Sequence, residues 1–262
     1  MPGTPLPDAL RAERIDDIAV LTLARPAKRN ALNDEAVLGI ERFFDGLEPD
    51  VRAVVIDADG DHFCAGLDLS EMIERRDTLA GVGHSRMWHR AFEKIEFGPV
   101  PVVAALKGAV VGGGLELAAA AHVRVAEEST FYALPEGQRG LFVGGGASVR
   151  VPRLIGVSRM ADMMLTGRRY DAQEGLALGL SQYAVADGTG RKTALELAGR
   201  IARNAPQTNF AVVQALPRIA EANPRDGFLM ESLMAAIAQG TDDAKGRMQD
   251  FLDGRAGKVT DE

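Results

Sequence analysis

Three short apolar runs constrain the architecture of this chain most. Ala53–Asp57, Val102–Leu106 and His122–Ala126 are each bounded by turn residues or by helical sequence. Each is too short to stand as a helix, so each predicts a strand. Helical stretches lie between them, over Leu69–Phe97 and then Leu115–Ala121. Strand and helix in alternation predict an α/β fold. No exact sequence repeat is present, but the strand, turn, helix rhythm recurs.

The flanks fit the same reading. Ala9–Arg14 and Ile18–Leu23 form a hairpin pattern around Asp16-Asp17. Asn33 suits the N-cap of a helix to Leu47, with Val37, Ile40, Phe44 and Leu47 at helical spacing. After Pro152 the pattern is mostly helical. Asp171-Ala172-Gln173-Glu174 reads as a capping box with Asp in the capping role, and Ser181–Val185 as one last short strand. Helices follow over Lys192–Arg203, Gln207–Glu221, Asp226–Ala238 and Asp242–Leu252. A boundary near Asp187–Gly190 gives a core over 1–188 and a helical region over 189–262. In that region Phe228, Leu229, Leu233 and Ile237 need a surface to cover, from the core or from a neighbouring subunit.

Bulk properties exclude several roles. A formal charge of −7 argues against general nucleic-acid binding. Cys64 is the only cysteine, so no intrachain disulfide forms, which fits a reducing cytoplasm. The N-terminus carries no basic-then-apolar leader pattern. The most apolar stretch, Val100–Ala121, is interrupted by Lys107, glycines and Glu116, and predicts no membrane span. A cytoplasmic protein is expected.

The chemistry concentrates in Gly112-Gly113-Gly114-Leu115-Glu116, which places one carboxylate in an alanine-rich apolar run just after three glycines. Ionisable groups are seldom buried without a partner or a task. Glycines before a helix let backbone N–H groups approach a ligand. Glu116 reads as a functional acid or base, as a carboxylate paired in the core, or as an exposed helix edge. Glu136, after Leu134-Pro135, reads as a helix-start acid favoured by the dipole or as a partner to Glu116. A strand–turn–strand between them, read as a hairpin, returns the chain so that both carboxylates face one pocket. Two carboxyls in one dry site push their pKa values apart, one donating and one accepting a proton. His62-Phe63-Cys64-Ala65-Gly66-Leu67-Asp68-Leu69 reads as a plain strand-to-helix turn or, with Gly113, as a second source of backbone donors for an oxyanion hole.

Taken in order, Phe63-Cys64-Ala65-Gly66-x-Asp68-Leu69-x-Glu71-Met72, Gly112-Gly113-Gly114-x-Glu116-Leu117 and Pro135-Glu136 resemble the enoyl-CoA hydratase/isomerase (crotonase) family. The resemblance runs from Arg25-Pro26 and Asn30-Ala31-Leu32 through Leu165-Thr166-Gly167 to the C-terminal helices. It implies a crotonase-like spiral of repeated ββα units with a helical C-terminal region that covers the pocket and oligomerises, as a homotrimer or a dimer of trimers. It implies oxyanion donors at the N–H groups of Ala65 and Gly113, and a CoA-thioester site lined by Ala65, Gly66, Leu67, Asp68, Gly113 and Gly144. Glu116 and Glu136 fall on the two glutamates that act in the family's hydratases. The implied reaction is reversible hydration of a trans-2-enoyl-CoA to a 3-hydroxyacyl-CoA. Alternatives are a Δ3-Δ2 enoyl-CoA isomerase using Glu136, or a non-catalytic acyl-CoA-binding protein. No cofactor is implied beyond the CoA of the substrate. Gly144 stands where the dienoyl-CoA isomerase branch has an Asp and so counts against that activity.

The chain departs from the family pattern in two places. Gln138-Arg139 puts polar groups beside Glu136, where Arg139 would lower the glutamate's pKa if it faced the pocket; it is expected to point outward. Gly254 stands where some relatives carry a lysine for the CoA phosphate, and Lys28 and Arg29, or Arg255 and Lys258, are the substitutes. His62, His84, His89 and His122 show no metal-ligand spacing, and His84 and His89 are expected in solvent. Cys64 is expected in the core. The acyl tail is expected to meet Met72–Trp88 and the region after Gly140; with few aromatic residues in the chain, an aliphatic tail is expected.

Overall fold

The computed structural model describes residues 5–71 and 77–255. The chain divides into two compact units, one ending at Ala202 and the other beginning at Arg203.

The first unit is built on two sheets. Its strands are β1 (Leu10–Ile15), β2 (Ile18–Leu23), β3 (Ala53–Ala58), β4 (Val102–Leu106), β5 (Ala109–Val111), β6 (Val123–Glu127), β7 (Phe131–Ala133), β8 (Arg169–Asp171) and β9 (Tyr183–Val185). Six of them form one sheet in the order β1-β2-β3-β4-β6-β9; β5, β7 and β8 form the other. Only the β1–β2 hairpin is antiparallel in the large sheet. Side chains alternate between its faces as the pleat requires. Leu21, Val54, Ile56, Ala104 and Leu106 point into the main core, whereas Val20, Ala53, Val55, Val103 and Ala105 point into a second one. Burial on both faces explains why these strands read as unbroken apolar runs.

The helices of this unit are α1 (Asp34–Asp45), α2 (Thr78–Glu96), α3 (Gly113–Ala120), α4 (Ala147–Ile155), α5 (Val157–Thr166), α6 (Ala172–Leu178) and α7 (Gly190–Ala202). The Asn33 side chain caps α1 by accepting from the Ala36 N–H, and Asp171 and Glu174 form the expected capping box on α6. Helix α7 lays Ala194 and Ala198 on the second face of the large sheet. That packing puts α7 with the sheet, so the compact core ends at Ala202 rather than at the expected 188.

The spiral is visible in the strand pairs. β4 and β6 lie side by side in the large sheet, and the strands that follow them, β5 and β7, lie side by side in the small one. Both pairings are parallel, as successive turns of a ββα coil require. β6 and β7 therefore do not form the expected hairpin. They belong to different sheets.

The second unit is helical: α8 (Pro206–Phe210), a π-helical turn (Ala211–Ala215), α9 (Leu216–Glu221), α10 (Pro224–Gln239) and α11 (Asp242–Leu252). The helix expected over Gln207–Glu221 is thus interrupted. Pro217 has no N–H for the carbonyl one turn back, and the ladder widens just before it. Phe228, Leu229, Leu233 and Ile237 of α10 are exposed. No described helix is long and apolar enough to cross a membrane.

Candidate active site

The site forms where three chain segments leave the small sheet together. β5 pairs with β7, and the Gly112 N–H extends the ladder by donating to the Ala133 carbonyl at 2.9 Å. On its other side β5 takes up the segment around Cys64: the Cys64 N–H donates to the Ala109 carbonyl and the Val111 N–H to the Cys64 carbonyl. Cys64–Leu67, Gly112–Gly113 and Leu134–Glu136 therefore emerge side by side. Glu116 and Glu136 meet through this parallel pairing. Gly112 has φ +53°, and a side chain there would put its Cβ 2.8 Å from Glu136 Oε1. Only glycine fits both demands.

A pocket of about 180 Å³ opens here, lined by Ala65, Gly66, Leu67, Gly113, Glu116, Glu136 and Gly144, all from the expected set. Asp68 is not among its lining residues. Its carboxylate accepts from Arg25 Nη2 at 3.1 Å and from the Ser70 hydroxyl at 2.7 Å, and these bonds hold its pKa below the usual range. Asp68 braces the loop instead of facing the pocket. Lys28 and Arg29 are exposed and are not among the lining residues either. Arg255 is paired with Asp250 and Asp253; Lys258 and Met72 lie outside the described residues.

The donor pair differs from the expected one. The Ala65 N–H is committed to the Arg29 carbonyl at 2.9 Å, so it is not free for a substrate. Leu67 takes its place. Its neighbours make the bridge to Leu32, through Leu32 N–H to the Gly66 carbonyl and Asp68 N–H to the Leu32 carbonyl, leaving the Leu67 N–H without an acceptor among the described residues. The Gly113 N–H, at the start of α3, is likewise without one, and a Cβ on Gly113 would lie 3.4 Å from the Leu67 nitrogen. Two adjacent backbone donors without acceptors in a pocket wall are what an oxyanion needs.

Glu116, in the first turn of α3, is 4% exposed. Its Oε1 accepts from the Gly145 N–H at 2.7 Å and the Ala147 N–H at 3.1 Å. Burial pushes its pKa up against these bonds and the charge of Arg150. Arg150 is itself tied down: Nη1 donates to the Gly145 carbonyl at 3.1 Å and Nε to Glu96 Oε2 at 2.6 Å. Gly145, Ala147 and Arg150 carried no local sequence signal beyond the glycine run.

Glu136 is half-buried, and its Oε2 is buried with no hydrogen-bond partner among the described residues. Burial first, and then the charge of Glu116, push its pKa up to about 7. Arg139 is exposed but lines the pocket, and its pull on Glu136 is weaker than the push of burial. The expectation that Arg139 points wholly outward is therefore corrected, while the carboxyl keeps its raised pKa.

His84 departs from expectation too. It lies in the pocket wall beside Ser85 and Trp88, within hydrogen-bond distance of Asp34 and Trp88. Leu141, Phe142 and Val143 complete the wall after Gly140. Cys64 is fully buried, and burial raises its thiol pKa to about 12, which fits a packing role.

Comparison with known proteins agrees with this geometry. Residues 13–261 match the enoyl-CoA hydratase/isomerase family. The chain belongs to that family. Among family relatives, it is 32% identical to an enoyl-CoA hydratase of Mycobacterium tuberculosis over 95% of both chains. It is 39% identical to the fatty acid oxidation complex subunit alpha of Shewanella loihica over 78% of this chain and 30% of that longer protein. In structure it resembles a candidate enoyl-CoA hydratase of Rhodopseudomonas palustris, with a TM-score of 0.92 and 58% identity over 96% of this chain and 97% of the other. The crotonase fold follows from the same likeness.

Proposed function

We propose that this chain is an enoyl-CoA hydratase, adding water reversibly to a trans-2-enoyl-CoA to give a 3-hydroxyacyl-CoA. The observation that carries this reading is the pair of unlike carboxyls in one pocket. Glu116 takes two backbone N–H groups on one oxygen, which favours its anion; Glu136 keeps a buried oxygen with no partner among the described residues, which favours its acid.

The chemistry follows from that difference. The thioester carbonyl oxygen accepts from the Leu67 and Gly113 N–H groups, which draw electron density from the conjugated double bond. Glu116 takes a proton from water as the oxygen adds to the β-carbon. Charge collects on the thioester oxygen as an enolate, where the two donors stabilise it. Glu136 then delivers its proton to the α-carbon. The two carboxyls have exchanged roles at the end of the forward reaction, and the reverse reaction starts from that state. Ala65, Gly66 and Gly144 line the pocket around the thioester, and Lys28 and Arg29, next to the Ala65 anchor, are the cations we assign to the CoA phosphates.

The exposed apolar side of α10 supports assembly as a homotrimer or dimer of trimers, with the helical region serving oligomerisation. The reduced, buried Cys64 supports a cytoplasmic setting. Crotonyl-CoA and longer enoyl-CoAs, followed by loss of the enoyl absorbance, test the reaction. Turnover that fails across the whole panel refutes the hydratase reading, and conversion of a 3-enoyl-CoA without hydration points to the isomerase instead. Glu116→Gln and Glu136→Gln are each expected to cost about 10²–10⁴-fold in rate.

A further inference from the structure

Trp88 stands where the two backbone segments of the site meet. It is the only tryptophan of the chain and is 3% exposed. A methyl group on Gly113 would lie 2.8 Å from its ring, and one on Gly145 would lie 2.9 Å from it. The indole is therefore packed against both residues. The Gly113 N–H is one of the two donors aimed at the thioester oxygen, and the Gly145 N–H holds Glu116. The ring also meets Phe92 edge-on, with centroids 5.5 Å apart.

The tilt of the ring has its own control. Trp88 Nε1 donates to His84 Nε2 at 3.0 Å. Asp34 Oδ1 lies 2.8 Å from that same nitrogen. One nitrogen cannot accept from the indole and donate to the carboxylate at once. The placement of the proton on the His84–Asp34 pair thus decides whether the indole is held.

We propose that Trp88 is a positioning residue for hydration. It acts as a plate that sets the spacing between the Gly113 and Gly145 N–H groups, with its tilt fixed by His84. A rocking indole moves two groups whose value depends on sub-ångström placement, and misplacement by an ångström costs about 10²-fold in rate. The proposal rests on the hydratase reading.

The test compares Trp88→Phe, His84→Ala, His84→Gln and the His84→Ala/Trp88→Phe double variant, each with kcat and KM on crotonyl-CoA and a thermal melt to establish folding. Trp88→Phe keeps a ring without the N–H, and His84→Gln keeps an acceptor near the place of Nε2. Trp88→Phe and His84→Ala are each expected to lower kcat about tenfold with KM within about twofold, and His84→Gln to recover most of the loss. The double variant is expected to be no slower than either single one, because without the indole N–H there is nothing for His84 to hold. Losses that multiply in the double variant, or folded single variants with unchanged kcat, overturn the proposal. A readout independent of turnover separates this from failure of the hydratase reading. As the lone tryptophan, Trp88 supplies the whole indole emission, and His84→Ala is expected to shift it. A spectrum identical to that of the wild type overturns the proposal whether or not enoyl-CoAs are hydrated.

Discussion

Glu116 Oε1 takes the Gly145 N–H at 2.7 Å, a bond between the first turn of one helix and the loop that leads into the next. With the Ala147 N–H on the same oxygen, it puts two backbone donors on one Glu116 oxygen, whereas Glu136 Oε2 has none among the described residues. Activity should therefore follow the proton on Glu136. Its carboxyl is pushed up to about 7, mainly by burial. Hydration of crotonyl-CoA is expected to fall as pH rises through about 7, because above that the acid is ionised and has nothing to deliver. A pH profile of kcat/KM for hydration, which reports the free enzyme, checks this; a value still rising well above that pH contradicts the assignment of Glu136 as the acid.

Glu116 is one of the causes that hold the Glu136 carboxyl up. Glu116→Gln removes that charge and is expected to lower the pKa of Glu136, leaving burial to keep it above the ordinary value. The carboxylic acid C=O stretch in infrared difference spectra, followed against pH, reports Glu136 without requiring turnover. An unchanged or higher titration midpoint in the variant would mean that the two carboxyls do not sense each other.

The same raised carboxyl bears on stability. A folded-state pKa of about 7 exceeds the unfolded value, so the folded form binds the proton more tightly. Stability from this group is present at low pH and is lost as pH rises through about 7. Glu136→Gln cannot ionise, so its melting temperature is expected to fall less than that of the wild type between about pH 5 and about pH 8. Parallel melting curves over that range decide it.

The donor at Leu67 can be deleted by proline, which also shortens a side chain packed on the core. Leu67→Pro removes an N–H that bonds nothing among the described residues, while the Leu32 bridge uses Gly66 and Asp68. We expect kcat to drop about 10²–10³-fold, the cost of one oxyanion donor. Circular dichroism establishes that the variant is folded. A folded variant with full activity would return the oxyanion role to another group.

Arg150 braces the loop that holds Glu116, through the Gly145 carbonyl and Glu96. Arg150→Met is expected to cost ~2 kcal/mol of stability by stranding these acceptors. It is also expected to lower kcat, since the charge of Arg150 helps keep Glu116 ionised. Denaturant unfolding and steady-state kinetics measure the two effects separately.

The sequence disclosed what depends on local pattern. Ala53–Asp57 and Val102–Leu106 were legible because strands buried on both faces must be apolar throughout. The Asn33 cap and the Asp171–Glu174 box carry their chemistry in adjacent residues. β5 and β8 were not legible, being three residues each and defined by their partners rather than by any periodicity. The glutamate pair was found, but by way of a hairpin that does not exist. Choosing between the Ala65 and Leu67 amides depends on which carbonyl each one faces, and Arg29 lies 36 residues before Ala65 in the chain. His84 looked solvated because Asp34 reaches it only when α1 packs on α2, which turns the His84–Trp88 face of α2 inward.

The pairing of β5 with β7 carries a consequence for how such a site can change. The distance between the end of one strand and the end of the next is set by main-chain hydrogen bonding, about 4.8 Å per ladder step. Position 136, three residues past the ladder bond from Gly112 to Ala133, is thus brought to Gly112 by the peptide backbone. A substitution there alters which atom of the bound thioester receives a proton, or whether any does, while the anion-stabilising corner stays in register. Reaction outcome and carbonyl activation are separately adjustable parts of the same scaffold.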